Sequence, residues 1–481
     1  MRWEDTPYAA SVRRVVDRCL GGVALLAVRG LFRSVEVVDF QGRHLHRGRP
    51  VLVVANHFNG FVDPVLVAAA LGRVPRFLAK ATLWKVLPAR PFLWLAGLIP
   101  VHRPEDHEGA ANVGAFDAAV RVLARGGVVA VFPEGTTHDV PRLARIRTGT
   151  ARIALAARAA GVDGLRILPV GITFEDKVAL RSRALVRAGT VIDLDDELGA
   201  LVDPGTAADE SNHEAVRRLT TEVESRLRDV SPDYDTYREE AALSRAAEVS
   251  LRTGAARPLT RVALAPREAL ARRLGAAPPP ERARVADALA RYQLSLDLSK
   301  VTDEEIEPPP GPRDLLARLV RLVIGVVLLA PLAIAGVLVN AVPALVVAVA
   351  GGAVRVPVTK GTVRILVGMI VFPTVWVLVG VFDVGSHALA DVLSFATFPL
   401  SPIIEWLFEG RDGVGPSVLV FVAAPMLGFA AVFLFELWTG VRRAWRAWLV
   451  VVNRRARLVE LRADRAELVT EVRTAAVEVA R

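Results

Sequence analysis

One long uncharged segment limits what this chain can fold into. Residues 322–354 include no charged side chain, and the segment exceeds the roughly 20 residues that one membrane crossing requires. Pro331, Asn340 and Pro343 interrupt the apolar run. The segment therefore predicts a tight helical hairpin that enters and leaves a membrane on the same side.

Two further apolar segments, at about 365–382 and 415–438, bring the predicted number of crossings to about four. Basic residues flank the hairpin and follow the last span, whereas the segment 384–414 has only Arg411 against several acidic residues. Positive residues are enriched on the cytoplasmic side of membrane helices. We therefore predict a multi-pass protein of the cell (inner) membrane whose large N-terminal domain and both soluble ends are cytoplasmic.

The charge balance narrows the set of partners. The 481 residues are 52% apolar, yet 60 Lys and Arg exceed 51 Asp and Glu, which gives a formal net charge of +9. Such a surplus attracts phosphate groups. Because the Arg residues lie among long apolar stretches and lack interleaved aromatic residues, a lipid surface is favoured over nucleic acid. The expected partners are membrane lipids, and no nucleic acid is expected.

The length predicts two or three structural units, and changes in composition suggest their limits. The first segment places several Arg residues beside a short apolar run with no small-residue cleavage site after it, which favours an interfacial helix over a signal peptide. The predicted segments are 1–35, an amphipathic membrane-interface helix; 36–204, an α/β domain; 205–312, a helical insert and linker; 313–440, a transmembrane region of about four helices; and 441–481, a basic cytoplasmic C-terminal helix.

Four apolar runs alternate with Ala- and Leu-rich helical stretches in the α/β segment. Strands that are apolar throughout are typical of a sheet covered by helices on both faces. The predicted strands are 51–56, 97–101, 127–132 and 165–172.

The sequence VVANHFNGFVDP places His57 and Asp63 directly after the first of these strands. Loops at strand ends often build active sites. A carboxylate can hold an imidazole in one tautomer and make it a better base for removing a proton from an alcohol. On this fragment alone, a His near an Asp is more often a structural or solvent-exposed residue than a catalytic one.

A second motif, FPEGTTHD, follows the strand at 127–132. Glu134 projects from a turn that contains Gly135, where a carboxylate could bind the hydroxyls of a polyol, although such turns are also common in ordinary loops. Guanidinium groups at Arg103, Arg145 and Arg147 suit a phosphate dianion. The remaining histidines of this region are expected at the surface or at the rim of the site: His102, His107 and His138.

The blocks NHFNGFVDP, GLIPVHR, FPEGTTHD and ILPVG occur in order, and together they resemble the four motifs of the glycerolipid acyltransferase superfamily. This resemblance implies an α/β fold with a mixed, mostly parallel sheet flanked by helices. It implies a catalytic His–Asp pair, an Arg and a Glu-Gly that position the acyl acceptor, and a Pro that shapes the acyl-donor region. The implied catalytic residues are His57 and Asp63, and the implied substrate-binding residues are Asn59, Arg103, Glu134, Gly135, Arg147 and Pro169.

Two features of the motifs make the resemblance narrower. The spacing between His57 and Asp63 is one residue longer than in most members, and Thr137 stands where many have Arg. The fungal-type glycerol-3-phosphate/dihydroxyacetone-phosphate acyltransferases share both features. The chain resembles that family along nearly its whole length. In that family Arg147 would correspond to a basic position able to replace the missing phosphate ligand.

The predicted reaction is acyl transfer from acyl-CoA, or from acyl-carrier protein, to a hydroxyl of glycerol 3-phosphate, which gives lysophosphatidic acid. The acyl donor is a co-substrate; no cofactor and no metal is expected, because no His, Asp and Glu cluster has ligand spacing outside the motifs. The same motifs are compatible with acylation of lysophosphatidic acid or of another lysolipid. An alternative from another functional class is that the protein is a non-catalytic lipid-binding membrane scaffold.

Overall fold

The computed structural model describes residues 7–40, 48–85, 90–102, 113–252, 258–386, 414–453 and 455–479. The chain divides into two compact units. The first unit contains Met1–Tyr237 and Val356–Thr362, and the second contains Arg238–Arg355 and Val363–Arg481.

The first unit is built on a sheet of eight strands. In chain order they are β1 (Phe32–Val38), β2 (Val51–Ala55), β3 (Arg76–Lys80), β4 (Ile99–Val101), β5 (Val128–Val131), β6 (Arg166–Phe174), β7 (Ser182–Ala188) and β8 (Ile192–Asp193). The order across the sheet is β1-β7-β6-β2-β5-β3-β4, and β8 pairs with β6. Strands β6, β2, β5, β3 and β4 run parallel, whereas β7 and β8 run antiparallel to β6. The α/β prediction with a mixed, mostly parallel sheet is confirmed.

Helices connect and cover these strands. They are α1 (Pro7–Leu31), α2 (Val62–Leu71), α3 (Arg90–Leu95), α4 (Val113–Ala124), α5 (Gly149–Ala159), α6 (Leu194–Leu201) and α7 (His213–Arg228). Strands β2 and β5 are buried along their whole length, as their unbroken apolar sequences require. The predicted strands are all present, as β2, β4, β5 and β6.

Helix α7 extends the first unit beyond residue 204, where we predicted the α/β domain to end. Leu219 and Val223 of α7 are fully buried in one hydrophobic cluster with Ile153 of α5 and Ile167 of β6. Burial of these apolar side chains against the sheet holds the helix to it. The helical insert therefore contributes its first helix to the α/β unit.

The second unit is helical in its described part. Its helices are α8 (Tyr237–Arg252), α9 (Leu264–Gly275), α10 (Pro279–Ser299), α11 (Asp303–Ile306), α12 (Pro312–Ala353), α13 (Pro357–Ser386), α14 (Val414–Asn453) and α15 (Arg455–Glu478). The first turn of α13 belongs to the first unit. Three helical segments within the described residues are long and apolar enough to cross a membrane: Pro312–Ala353, Thr359–Val381 and Phe421–Asn453.

The predicted hairpin at 322–354 is wrong, because α12 is one continuous helix. Pro331 and Pro343 lie inside it. Asn340 marks no turn: its side-chain amide donates to the Gly336 carbonyl at 2.9 Å and to the Ala424 carbonyl of α14 at 3.0 Å. Its oxygen accepts the indole N–H of Trp376 at 3.0 Å. Neighbouring helices thus satisfy the polar group, as a polar side chain among apolar helices requires.

A buried charge cluster joins several helices in the second unit. Asp303 accepts hydrogen bonds from Arg252 at 2.7 Å, from Tyr292 at 2.7 Å and from Arg465 at 2.8 Å. Arg252 also pairs with Glu248 at 2.7 Å. Burial, and then the neighbouring Asp303 carboxylate, raise the pKa of Tyr292. The cluster links α8, α10, α11 and the C-terminal α15.

Replacing Asp303 by Ala should destabilise the helical unit strongly. The change would leave two arginines buried without their shared carboxylate, which costs about 3–5 kcal/mol when a buried ion pair is broken. Asp287→Ala on the exposed face of α10 is the matched control, with an expected effect within about 0.5 kcal/mol. Thermal unfolding of the full chain in detergent measures both. Equal stability of the two variants would contradict the role given to the cluster.

Candidate active site

A buried amide fixes the loop that leaves strand β2. The Asn56 side chain donates to the Ile172 carbonyl at 2.9 Å and accepts the Ile172 N–H at 2.7 Å. Asn56 thereby continues the pairing of β2 with β6 by one further residue, and it is fully buried. The next residue, His57, therefore begins its loop from a rigid point at the carboxyl end of the parallel strands.

The structure brings His57 and Asp63 together. His57 Nδ1 lies 2.9 Å from Asp63 Oδ2, and the same oxygen accepts the Asn59 N–H at 2.8 Å. The Asp63 side chain is fully buried, whereas the His57 side chain is 14% exposed. Asp63 lies in the first turn of α2, where the helix dipole favours a negative charge. The longer spacing between the two residues thus forms a close His–Asp pair.

An aromatic side chain supports the His57 ring. Phe132 stacks on it with ring centroids 4.2 Å apart and an interplanar angle of 18°. Phe77 continues the stack on Phe132 at 6.0 Å. With Nδ1 against Asp63, this packing leaves few orientations for the imidazole.

Glu134 ties the loop after β5 to the loop after β2. Its Oε1 accepts the backbone N–H of His57 at 2.7 Å, and its Oε2 accepts the backbone N–H of Ala144 at 2.8 Å and a hydrogen bond from His138. The Glu134 side chain is fully buried. We expected Glu134 to bind substrate hydroxyls, but its oxygens face the interior, where they hold His57 in place.

His138 is a residue of the site that the sequence analysis placed at the surface or rim. Its side chain is only 12% exposed because it pairs with Glu134 and packs edge-on against the Phe58 ring at 5.1 Å. The His138 N–H also points to the His57 carbonyl at 3.4 Å. Only the four-residue separation of Glu134 and His138 in the sequence could have indicated that their side chains meet. Such a separation brings side chains together only where the backbone between them turns.

The PEG turn brings Arg147 against Gly135. The Gly135 N–H closes the turn on the Phe132 carbonyl at 3.1 Å, and the Arg147 N–H donates to the Pro133 carbonyl at 2.9 Å. Gly135 has a φ of +70°, and a Cβ there would lie 2.7 Å from Arg147 Nε. The exposed guanidinium of Arg147 is therefore held beside the turn, and Arg145 is also exposed.

A second polar network borders Asn59. The Asn59 amide donates to the Lys177 carbonyl at 3.2 Å, and the Lys177 ammonium contacts Asp139 and the Tyr237 hydroxyl. Burial acts to raise the pKa of Asp139, but hydrogen bonds from Lys177 and Tyr237 outweigh it, and the pKa lies below its usual value. Asn59 is 98% buried, so its side chain supports the loop.

The predicted residue Pro169 is not part of this cluster. Pro169 is buried inside β6 opposite Val54, and its carbonyl accepts the Gly189 N–H at 2.8 Å. Arg103 lies outside the described residues. Among the residues that the structure does describe, no group of three or more His, Cys, Asp and Glu side chains could hold a metal ion.

Substitution of Gly135 tests the packing of the turn against Arg147. Gly135→Ala should lower activity about tenfold or more, because the added Cβ displaces the Arg147 side chain or the turn that carries Glu134. Gly161→Ala is the matched control, since Gly161 also has a positive φ (+81°) but has nothing within 4 Å of the added Cβ. Both changes should cost about 1–2 kcal/mol of stability from the left-handed backbone. Loss of activity in both variants, or in neither, would contradict this account.

Comparison with known proteins gives the site a family context. Residues 37–173 match the family model described as Acyltransferase. The chain is 33% identical over 129 residues to glycerol-3-phosphate O-acyltransferase 2 of Saccharomyces cerevisiae and 31% identical over 118 residues to glycerol-3-phosphate O-acyltransferase 1 of that yeast. These matches span 26% and 24% of this chain, and 17% and 15% of the two yeast proteins.

A solved structure is also similar. The 1-acyl-sn-glycerophosphate acyltransferase of Thermotoga maritima shares 20% identity and a TM-score of 0.31, over 46% of this chain and 83% of that one. The family match covers β2, β5 and most of β6, and with them His57, Asp63 and Glu134. Residues 37–173 thus match an acyltransferase domain, and the chain spans less than a fifth of the length of the two yeast proteins.

Proposed function

We propose that this protein is a membrane-bound enzyme that transfers a fatty acyl group from acyl-CoA, or from acyl-carrier protein, to a hydroxyl of glycerol 3-phosphate. The observation that carries the proposal is the 2.9 Å contact between His57 Nδ1 and the buried Asp63 Oδ2. The product is lysophosphatidic acid. The similarity to two yeast glycerol-3-phosphate O-acyltransferases supports this choice of acceptor.

The His–Asp pair suits a direct transfer. When Nδ1–H donates to Asp63, Nε2 of His57 carries a lone pair and can accept the proton of the attacking hydroxyl. Asp63 orients the ring and stabilises the imidazolium that forms. The hydroxyl oxygen bonds to the thioester carbonyl carbon, the carbon–sulfur bond breaks, and the proton passes to the departing thiolate. No protein nucleophile is required.

Arg147 and Arg103 are the proposed ligands of the acceptor phosphate. Arg147 is exposed and lies beside the PEG turn, and a guanidinium can form two parallel hydrogen bonds with a phosphate. The candidate membrane helices support a membrane location, and the distribution of basic residues supports a cytoplasmic active site.

Removal of the His–Asp pair tests whether the site is catalytic. His57→Ala should lower acyl transfer by about 10²–10⁴-fold, because the general base is lost. Asp63→Asn should lower kcat substantially with little change in KM, because the orienting charge is lost while the shape remains. The exposed His213→Ala of α7 should retain full activity. Unchanged activity of His57→Ala would instead favour a non-catalytic membrane scaffold.

An acceptor panel separates the candidate substrates. Purified protein in detergent is given glycerol 3-phosphate, dihydroxyacetone phosphate or lysophosphatidic acid with the same acyl-CoA, and then with acyl-carrier protein as donor. We expect glycerol 3-phosphate to be the best acceptor. Strong turnover of lysophosphatidic acid with none of glycerol 3-phosphate would refute the proposed acceptor while leaving the acyl-transfer chemistry intact.

Arg147→Ala should raise KM for glycerol 3-phosphate about tenfold or more, because a charge-assisted contact with the phosphate contributes about 1.5–3 kcal/mol. The expected change in kcat is smaller. Arg142→Ala is the control, since Arg142 is exposed and its ion pair with Asp235 is 3.7 Å long. An unchanged KM would remove Arg147 from the phosphate site.

A further inference from the structure

Helix α2, which carries Asp63, begins without a capping side chain from its own loop. Phe61 occupies the N-cap position and makes no side-chain capping hydrogen bond. Phenylalanine has no acceptor for the free N–H groups of a first helical turn, and such groups need a partner when they are removed from water. The start of this helix is therefore a point where a distant residue can provide stability.

That partner comes from the start of a helix 301 positions further along the chain. The Thr362 hydroxyl accepts the Phe61 N–H at 3.0 Å. Thr362 ends the segment Val356–Thr362, which belongs to the first unit and includes the start of α13. This N–H belongs to the N-cap residue itself, one of the amide groups at a helix start that have no partner within the helix, and its acceptor is supplied by another helix.

The neighbouring Gly361 makes this approach possible. A Cβ at position 361 would lie 2.5 Å from Val62 Cγ2 and 2.8 Å from Asn59 Oδ1. Both distances are shorter than real Cβ contacts, so a larger residue would push the loop between His57 and Asp63 or move the helix away from it. The absence of a side chain lets the first turn of α13 pack directly on this loop.

We propose that Thr362, with Gly361 as its close-packed neighbour, is a positioning residue for the His57–Asp63 pair. The inference rests on the function proposed above. The connection is short: Thr362 holds Phe61, Phe61 leads into the first turn of α2, and Asp63 of that turn holds the His57 ring at 2.9 Å. A small displacement in such a geometry has a large effect on rate.

The test compares Thr362→Val with Thr362→Ser in the full-length protein in detergent. Valine keeps the shape and removes the acceptor, so kcat should fall about 10–100-fold while KM for glycerol 3-phosphate changes less than threefold. Serine retains the hydroxyl and should restore kcat to within about threefold of the parent. Thr359→Val is the matched control, because Thr359 is exposed in the same first turn. It should leave kcat unchanged.

Hydrogen exchange of the amides at 61–64 provides a second measurement that does not require activity. Thr362→Val should speed this exchange about tenfold, and Thr362→Ser and Thr359→Val should not. If the parent is active and His57→Ala is not, full kcat in Thr362→Val overturns the positioning role while the proposed function stands. If the parent shows no acyl transfer, the proposed function fails, and unchanged exchange in Thr362→Val would overturn the cap as well.

Discussion

The candidate site depends on the hydrogen bonds that the Glu134 carboxylate accepts. Strands β2 and β5 are neighbours, so the loops that follow them leave the sheet at the same edge. One buried charge joins these loops through the N–H groups of His57 and Ala144 and the ring of His138. A buried carboxylate is costly unless such partners surround it. Because both of its oxygens accept hydrogen bonds from these loops, Glu134 holds the backbone of His57 in place.

Sequence patterns predicted the parts of this structure that depend on residues close together in the chain. Uninterrupted apolar runs identified β2, β5 and β6, since strands covered on both faces are apolar along their length, and a similar run identified the shorter β4, in which only Ile99 is buried. The same reasoning placed His57 and Asp63 at a strand end, and the loop after β2 brings His57 to Asp63 in the first turn of α2. The direction in which Glu134 points could not be predicted, because it depends on a neighbouring strand and on the turn that brings His138 back to it.

Contacts between segments that are remote in sequence account for the larger differences between the predicted and the observed structure. Asn340 and two prolines suggested a turn, yet a polar side chain inside α12 is satisfied by Ala424 and Trp376, and both lie on other helices. Prolines within membrane helices are tolerated where neighbours supply the missing partners. The cap that Thr362 gives to α2 is equally hidden in the sequence, since nothing near Phe61 indicates which distant hydroxyl reaches it.

The location of Thr362 also affects how the protein can be divided. A fragment that ends at Tyr237 would retain the sheet, the His57–Asp63 pair and Glu134, but it would lack the chain segment that closes the start of α2. Removing the apolar C-terminal helices to gain solubility would therefore also remove the hydroxyl that accepts the Phe61 N–H. Such a fragment would need Val356–Thr362 to be supplied as an added peptide or a grafted segment, because these residues belong to the first unit.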